Sequence, residues 1–365
     1  MYCCTNCFID PEIKAIIENN ENKVIGNCSF CGKKNVLVYD IENDSTLADL
    51  FEGLLEVYTP IKNLSSFYPR EKVDLLKNLL YSQWRIFNIQ PESIYSLITH
   101  ICREKYEEMP ELFDAPVGIW QNYDRDFLVE NAILTNYTWA EFVEAIKWKN
   151  RFHIHYINED ILNLFIRCVC KTYRAGSIFY RARISYDAGG YSVDDMYAPP
   201  RGKATAGRAN PDGISMLYLA DQVKTTLYEI RAGVYDYVTI GTFELLEDIE
   251  VINLADIDKI SPFFAANAYG IDFLRQAVNT DNLKVISNEI AKPLRRHDSS
   301  LDYLPTQYIS DFIKSKTYAG IEYASTMCPG GINTAIFDEK PSFLKCVKTE
   351  VYDIKSLEYG YKPLK

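Results

Sequence analysis

No stretch of this chain is apolar for long enough to cross a bilayer, which takes about 20 residues in a helix. The N-terminus, MYCCTNCFIDPEIK, has no basic leader followed by an apolar core. A membrane or secreted protein is therefore not expected, and the reading is a cytoplasmic one. Positive charge is in short supply: 39 Lys and Arg face 50 Asp and Glu, for a net charge of -11. That balance argues against sequence-blind attraction to nucleic acid or anionic membrane, so nucleic acid is not favoured as a partner. The phosphate-binding loop GxxxxGK[ST], the dinucleotide fingerprint GxGxxG and the hydrolase elbow GxSxG are all missing. Histidines number four, His100, His153, His155 and His297, and none sits in a hydrolase motif. Arg151 with His153 and His155 is the one cluster, in the alternating string RFHIH, which suits strand or loop better than a catalytic helix face. His297 is given no role.

Cysteine, by contrast, is plentiful and clustered. In the reducing compartment implied by the missing leader, paired cysteines point to metal rather than disulfide. Cys4 and Cys7 in CTNC, and Cys28 and Cys31 in CSFC, form two C-x2-C knuckles. A two-residue gap lets both thiolates of a knuckle reach one tetrahedral ion, and four thiolates close the shell of a structural zinc site. Gly32 suits the tight turn after the second knuckle. Cys3 competes with Cys4 as ligand, but the spacing favours Cys4.

Composition divides the chain into three regions: a zinc ribbon at 1–40, a helical region at 41–165 and a strand-rich region at 166–365. The fold class is thus α+β. In the middle region, LADLFEGLLEVY, PREKVDLLKNLLYSQW, PESIYSLITHICREKY, TWAEFVEAIKWKN and EDILNLFIRCVCK carry apolar residues at helical spacing. Proline opens two of them and capping signals open others.

The last region holds the candidate chemistry. GSIFYRARIS reads as a strand, with Ile178, Tyr180, Ala182 and Ile184 on one face and Phe179, Arg181 and Arg183 on the other. Two arginines on one strand face repel unless an anion sits near, and a phosphate suits their fork geometry. The loop APPRGKATAGRANPDG adds Arg208. A strand SMLYLA and a helix QVKTTLYEIR follow, with Val223, Leu227 and Ile230 on the buried stripe and Glu229 off it. Strands are expected at YVTIGTFELL, IEVINL, YAGIEYAS, INTAIF and CVKTEVYDI, and a helix at TQYISDFIK. Ser325 leaves a strand into a glycine loop, where it either points into a cleft or caps the strand end.

FYRAR, then GRANPDG, LYLA and YEIR, then YASTMCPGGINTAIF resemble, in order and spacing, the RES-domain family, in its longer branch with an N-terminal cysteine-knuckle segment and HEPN-like helices. The resemblance implies a fold like that of ADP-ribosyltransferases, with a mostly antiparallel β core and flanking helices. It implies cleavage of NAD at the nicotinamide–ribose bond, with water or phosphate as acceptor, in a growth-inhibiting toxin or defence effector with an antitoxin or regulatory partner. By motif it assigns Arg181, Glu229 and Ser325 to catalysis and Arg208, Tyr218 and Asn333 to NAD binding. Ser325 would position substrate, and Tyr218 would pack on the nicotinamide or its ribose. Small toxins of the family read GRWN where this chain has Ala209, a change that bears on pocket width. Two other readings remain: ADP-ribosyl transfer to a macromolecule, and a zinc-ribbon nucleic-acid or partner-binding protein with a degenerate catalytic domain.

Overall fold

The computed structural model describes residues 1–20, 23–292 and 299–358; His297 lies outside them. The described residues form two compact units. One comprises Met1–Thr138, His155–Cys168 and Asp258–Leu283, the other Trp139–Ile154, Val169–Ile257 and Lys284–Lys365.

The first unit begins with a three-stranded antiparallel sheet, in which Val36–Asp40 lies between Tyr2–Cys4 and Val24–Gly26. Between the two knuckles the chain forms the helix Pro11–Asn19. Proline occupies its first turn, and the Asp10 carboxylate accepts from the backbone N–H groups of Glu12 at 2.9 Å and Ile13 at 3.2 Å. The cysteines share a core with the helices: Cys3, Cys4, Cys7 and Phe8 pack in one buried cluster with Leu47, Phe51, Leu97 and Phe263. Phe8, Phe51 and Phe87 form a ring cluster with centroids 5.6–6.4 Å apart.

Helices Thr46–Leu55, Pro91–Ile101 and Glu159–Cys168 fall where apolar spacing expects them. PREKVDLLKNLLYSQW does not form one helix. Pro69 precedes a single 3-10 turn, Arg70–Lys72, and the α-helix begins only at Leu76. Asp74 and Leu75 pair instead with Val117 and Pro116. Tertiary strand pairing there outweighs local helix preference.

The second unit is built on an eight-stranded sheet. From one edge its strands are Leu344–Asp353, Tyr237–Leu245, Ile178–Ser185, Leu217–Ala220, Ile332–Ile336, Gly320–Ala324, Ile249–Asn253 and Cys170–Tyr173. All neighbours are antiparallel except Ile249–Asn253 with Gly320–Ala324. Ile178–Ser185 reads as a strand whose buried positions do not alternate simply, because apolar clusters contact both of its faces. Phe179 packs with Leu217, Leu219 and Phe243. Ala182 packs with Val238 and Ile240, against which Val223, Leu227 and Ile230 of the helix Val223–Glu229 are laid.

One feature of the sheet positions the site. Ile178–Ser185 and Leu217–Ala220 share a single residue pair, Tyr180 with Ala220. Beyond that pair the ladder between the two strands stops, and the backbones are free to separate and face a cavity.

Candidate active site

The cavity at this break has a volume of about 280 Å³. Tyr180, Arg181 and Ala182 line one side, and Tyr218, Leu219 and Ala220 the other. Gly207 and Arg208 come from the preceding loop, Thr226, Glu229 and Ile230 from the helix, and Tyr323 and Asn333 from the two adjoining strands. Five of the six sequence-predicted residues of this region, Arg181, Arg208, Tyr218, Glu229 and Asn333, therefore border one space. A larger cavity of about 770 Å³, among Ile249, Lys314, Phe337 and Glu339, contains none of them.

Ser325 is not among the residues lining the cavity; it lies behind Glu229. Its hydroxyl donates to Glu229 Oε1 at 2.6 Å, and Asn333 Nδ2 donates to the same oxygen at 2.7 Å. Both donors are buried, whereas Glu229 is exposed. The Ser325 hydroxyl oxygen accepts from the N–H groups of Met327 at 3.2 Å and Cys328 at 3.0 Å, which fixes its orientation. Glu229, the last residue of its helix, thus has one carboxylate oxygen anchored twice and the other, Oε2, without a donor among the described residues. The resemblance has Ser325 position substrate; in the fold its side chain contacts Glu229.

The two arginines are each half-satisfied. Arg181 Nη1 donates to the Tyr218 carbonyl at 3.2 Å, while its buried Nε has no partner. Burial, with the charge of Arg183 second, pulls the Arg181 pKa down to about 10. Arg208 Nη1 donates to the carbonyls of Ile290, at 3.0 Å, and Lys292. Among the described residues Arg181 Nη2 and the Nε and Nη2 of Arg208 have no protein acceptor, while Arg181 Nε is buried. Arg183 is engaged elsewhere: it lies 4.1 Å from the Tyr191 ring centroid and donates to the Asp195 carbonyl.

Tyr218 ties the loop to the strand. Its hydroxyl donates to Asn210 Oδ1 at 2.6 Å and accepts from Ala209 N–H at 3.1 Å. Burial pushes its pKa up to about 12, so the phenol stays protonated. Ala209 is fully buried and does not border the cavity. Gly207 passes so close beneath this pair that a Cβ there would lie 2.7 Å from both Asn210 Oδ1 and the Tyr218 hydroxyl. Tyr323 and Asn210 were not singled out from sequence. Tyr323 sits two residues before Ser325 on a strand, and Asn210 closes the string GRAN; those positions are the only signals either one offers.

At the N-terminus, the Sγ atoms of Cys4, Cys7, Cys28 and Cys31 all lie within 4.8 Å of one another. Cys31 N–H points at Cys28 Sγ at 3.5 Å, and Gly32 takes the left-handed φ of +72° that the turn requires. Four thiolates in this arrangement could hold one metal ion. Cys3 points into the core and is not one of the four.

The architecture is mixed α+β, with arginine, glutamate and serine side chains gathered at a break in a mostly antiparallel sheet. The RES domain model matches residues 178–359, and the HEPN/RES N-terminal domain 1 model matches residues 21–160. The chain belongs to the RES family, in the branch with a HEPN-like N-terminal extension. Among solved structures it is similar to a chain in the crystal structure of the M. tuberculosis MbcT-MbcA toxin-antitoxin complex, with 13% identity and a TM-score of 0.29, over 52% of this chain and 92% of that one. A search of curated proteins finds no match. Among the described residues no helix is long and apolar enough to cross a membrane.

Proposed function

We propose that this protein consumes NAD by breaking the bond between nicotinamide and ribose, as a glycohydrolase or phosphorylase on an ADP-ribosyltransferase-like scaffold. The observation that carries this reading is the shared cavity. Two guanidinium groups that spend only Nη1 on protein acceptors among the described residues, and one carboxylate with only one of its oxygens bonded there, border the same 280 Å³. A dinucleotide has two phosphates for the two forks and a ribose for the carboxylate.

Cleavage moves the electrons of the C1′–N bond onto the pyridinium, which leaves as neutral nicotinamide, and positive charge develops at the ribose. Glu229 stabilises that charge and holds the ribose hydroxyls through Oε2. Ser325 and Asn333 keep its carboxylate in place, so no reorganisation is needed as the charge forms. Arg181 and Arg208 hold the diphosphate and orient the sugar, while Tyr218 fixes the loop that carries Arg208. Water or phosphate then bonds to C1′ and loses a proton.

Cys4, Cys7, Cys28 and Cys31 fit a structural zinc ion, which would supply no step of this chemistry: all four ligand positions would be protein thiolates, with no open site. Growth inhibition held in check by an antitoxin or regulatory protein is the biological role that goes with this reading.

The test is to incubate purified protein with NAD, with and without phosphate, and to weigh the products. Free nicotinamide with ADP-ribose, or with its 1″-phosphate, supports the proposal and separates the two reactions. Label from NAD carried into macromolecules would replace it with ADP-ribosyl transfer. No NAD loss under either condition would remove it.

A further inference from the structure

The loop that carries Arg208 is held from outside by two adjacent side chains that neither the motif nor the cavity identifies. Both lie in the first turn of the helix Leu304–Ser315 and both are buried. Gln307 Nε2 donates to the carbonyls of Gly207 and Asn210, each at 2.8 Å. Thr306 Oγ1 lies 2.8 Å from the carbonyl of Arg208 and 2.9 Å from that of Tyr303, so its one proton is shared between them. Three of the four carbonyls in Gly207–Asn210 therefore end on this one turn.

Inside the loop, Asn210 Nδ2 donates to the carbonyls of Thr205, Pro211 and Ile214, and Gly207 N–H donates to Asn210 O at 2.9 Å. The loop is thus closed on itself, and its attachment to the rest of the unit runs through Tyr218, Thr306, Gln307 and the two carbonyls that hold Arg208 Nη1. A surface loop needs few such ties. A loop that must present one guanidinium at a fixed place needs many, because an ångström of drift weakens a bidentate phosphate contact.

We propose that Gln307, seconded by Thr306, is a positioning residue that fixes Arg208 for the phosphate of the substrate. It touches no substrate itself, and it acts through the backbone of residues 207–210. The proposal rests on the NAD-cleaving reading of the cavity.

The test is a double-mutant cycle read as KM and kcat for NAD. Gln307→Leu keeps volume and removes both donors. Its KM is expected to rise on the order of tenfold, with kcat within about twofold, since lost phosphate binding is lost equally in ground and transition states. In an Arg208→Ala background the same change should add less than about twofold to KM, because the group it positions is gone. An equal rise in both backgrounds, or a fall in kcat at unchanged KM, overturns the proposal. Thr306→Val, nearly isosteric, should act in the same direction and serves if Gln307→Leu does not fold.

Hydrogen exchange at the Gly207 and Ala209 amides, measured without ligand, separates this proposal from the reading it rests on. Faster exchange in Gln307→Leu supports the clamp even if the wild-type protein leaves NAD intact, and unchanged exchange overturns it whatever the activity.

Discussion

At the scale of single residues, the site stores an unfavourable charge. Arg181 is a cation whose buried Nε lacks a partner and whose neighbour Arg183 repels it. Its folded pKa lies below the ordinary arginine value, so the cost of burying the charge is fully present at neutral pH and is relieved only above about pH 10. Replacing it with a similar-sized apolar group should remove that cost. Arg181→Met is expected to stabilise the ligand-free protein by about 1–2 kcal/mol while abolishing NAD turnover, measured by thermal melting and product release. A loss of stability would show that the charge is compensated in the folded protein. Glu229→Gln keeps the shape and the anchoring neighbours but removes the charge. It should lower kcat about 10²–10³-fold with NAD affinity nearly unchanged; isotherms and single-turnover rates would show it. Of these residues, Arg181 was legible in the sequence as a cation on a strand face and Glu229 as a carboxylate off an apolar stripe. What was not legible is which of them meet. Ser325 and Asn333 converge on one oxygen of a residue about a hundred positions earlier, and no local pattern encodes that.

Among the elements, the decisive one is the ladder between Ile178–Ser185 and Leu217–Ala220, which stops after one pair. Both strands were legible from composition, but the break between them was not, since strand pairing depends on what the rest of the sheet does. Alternation put Phe179 on one face of the first strand and Tyr180 with Ala182 on the other, and the two pack into separate clusters; what it did not show is that both faces are partly buried. The loop between these strands fits one backbone path. Gly207→Ala would set a methyl group 2.7 Å from Asn210 Oδ1 and the Tyr218 hydroxyl, neither of which can yield without breaking its own bonds. The expected result is a loss of about 1–3 kcal/mol in urea or thermal unfolding together with weakened NAD binding. Ala209, where small toxins of the family carry tryptophan, packs inside this loop and away from the cavity. That placement removes the reason to expect a wider pocket from the substitution.

Across the whole molecule, the knuckles are part of a larger body. Cys3, Cys4, Cys7 and Cys28 share their core with helices of the same unit, so a metal ion held by the knuckles would affect more than a ribbon. Stripping the metal with a chelator, or the change Cys28→Ser, is expected to lower the melting temperature on the order of 10 °C. The buried Trp84 of that core would report it by fluorescence. A melting curve indifferent to chelator would argue against zinc. The units themselves cross the chain order: Asp258–Leu283 folds with the first unit and Trp139–Ile154 with the second. Neither segment is marked by a linker, a proline cluster or a change of composition, so a reading along the chain has nothing with which to separate them.

The sequence by itself determined the chemistry of the parts: the tetrathiolate spacing, the apolar stripes of most helices, the strand runs, and a resemblance to the RES family that the family match bears out. These are short-range properties, set by spacing within a few residues. The tertiary structure alone decided that Arg181, Arg208 and Glu229 face one cavity, that Ser325 holds a carboxylate from behind, and that Thr306 and Gln307 grip the loop between them. Those are contacts across tens to hundreds of residues. They are fixed by which strands pair and which do not, and that is a property of the folded sheet rather than of any segment.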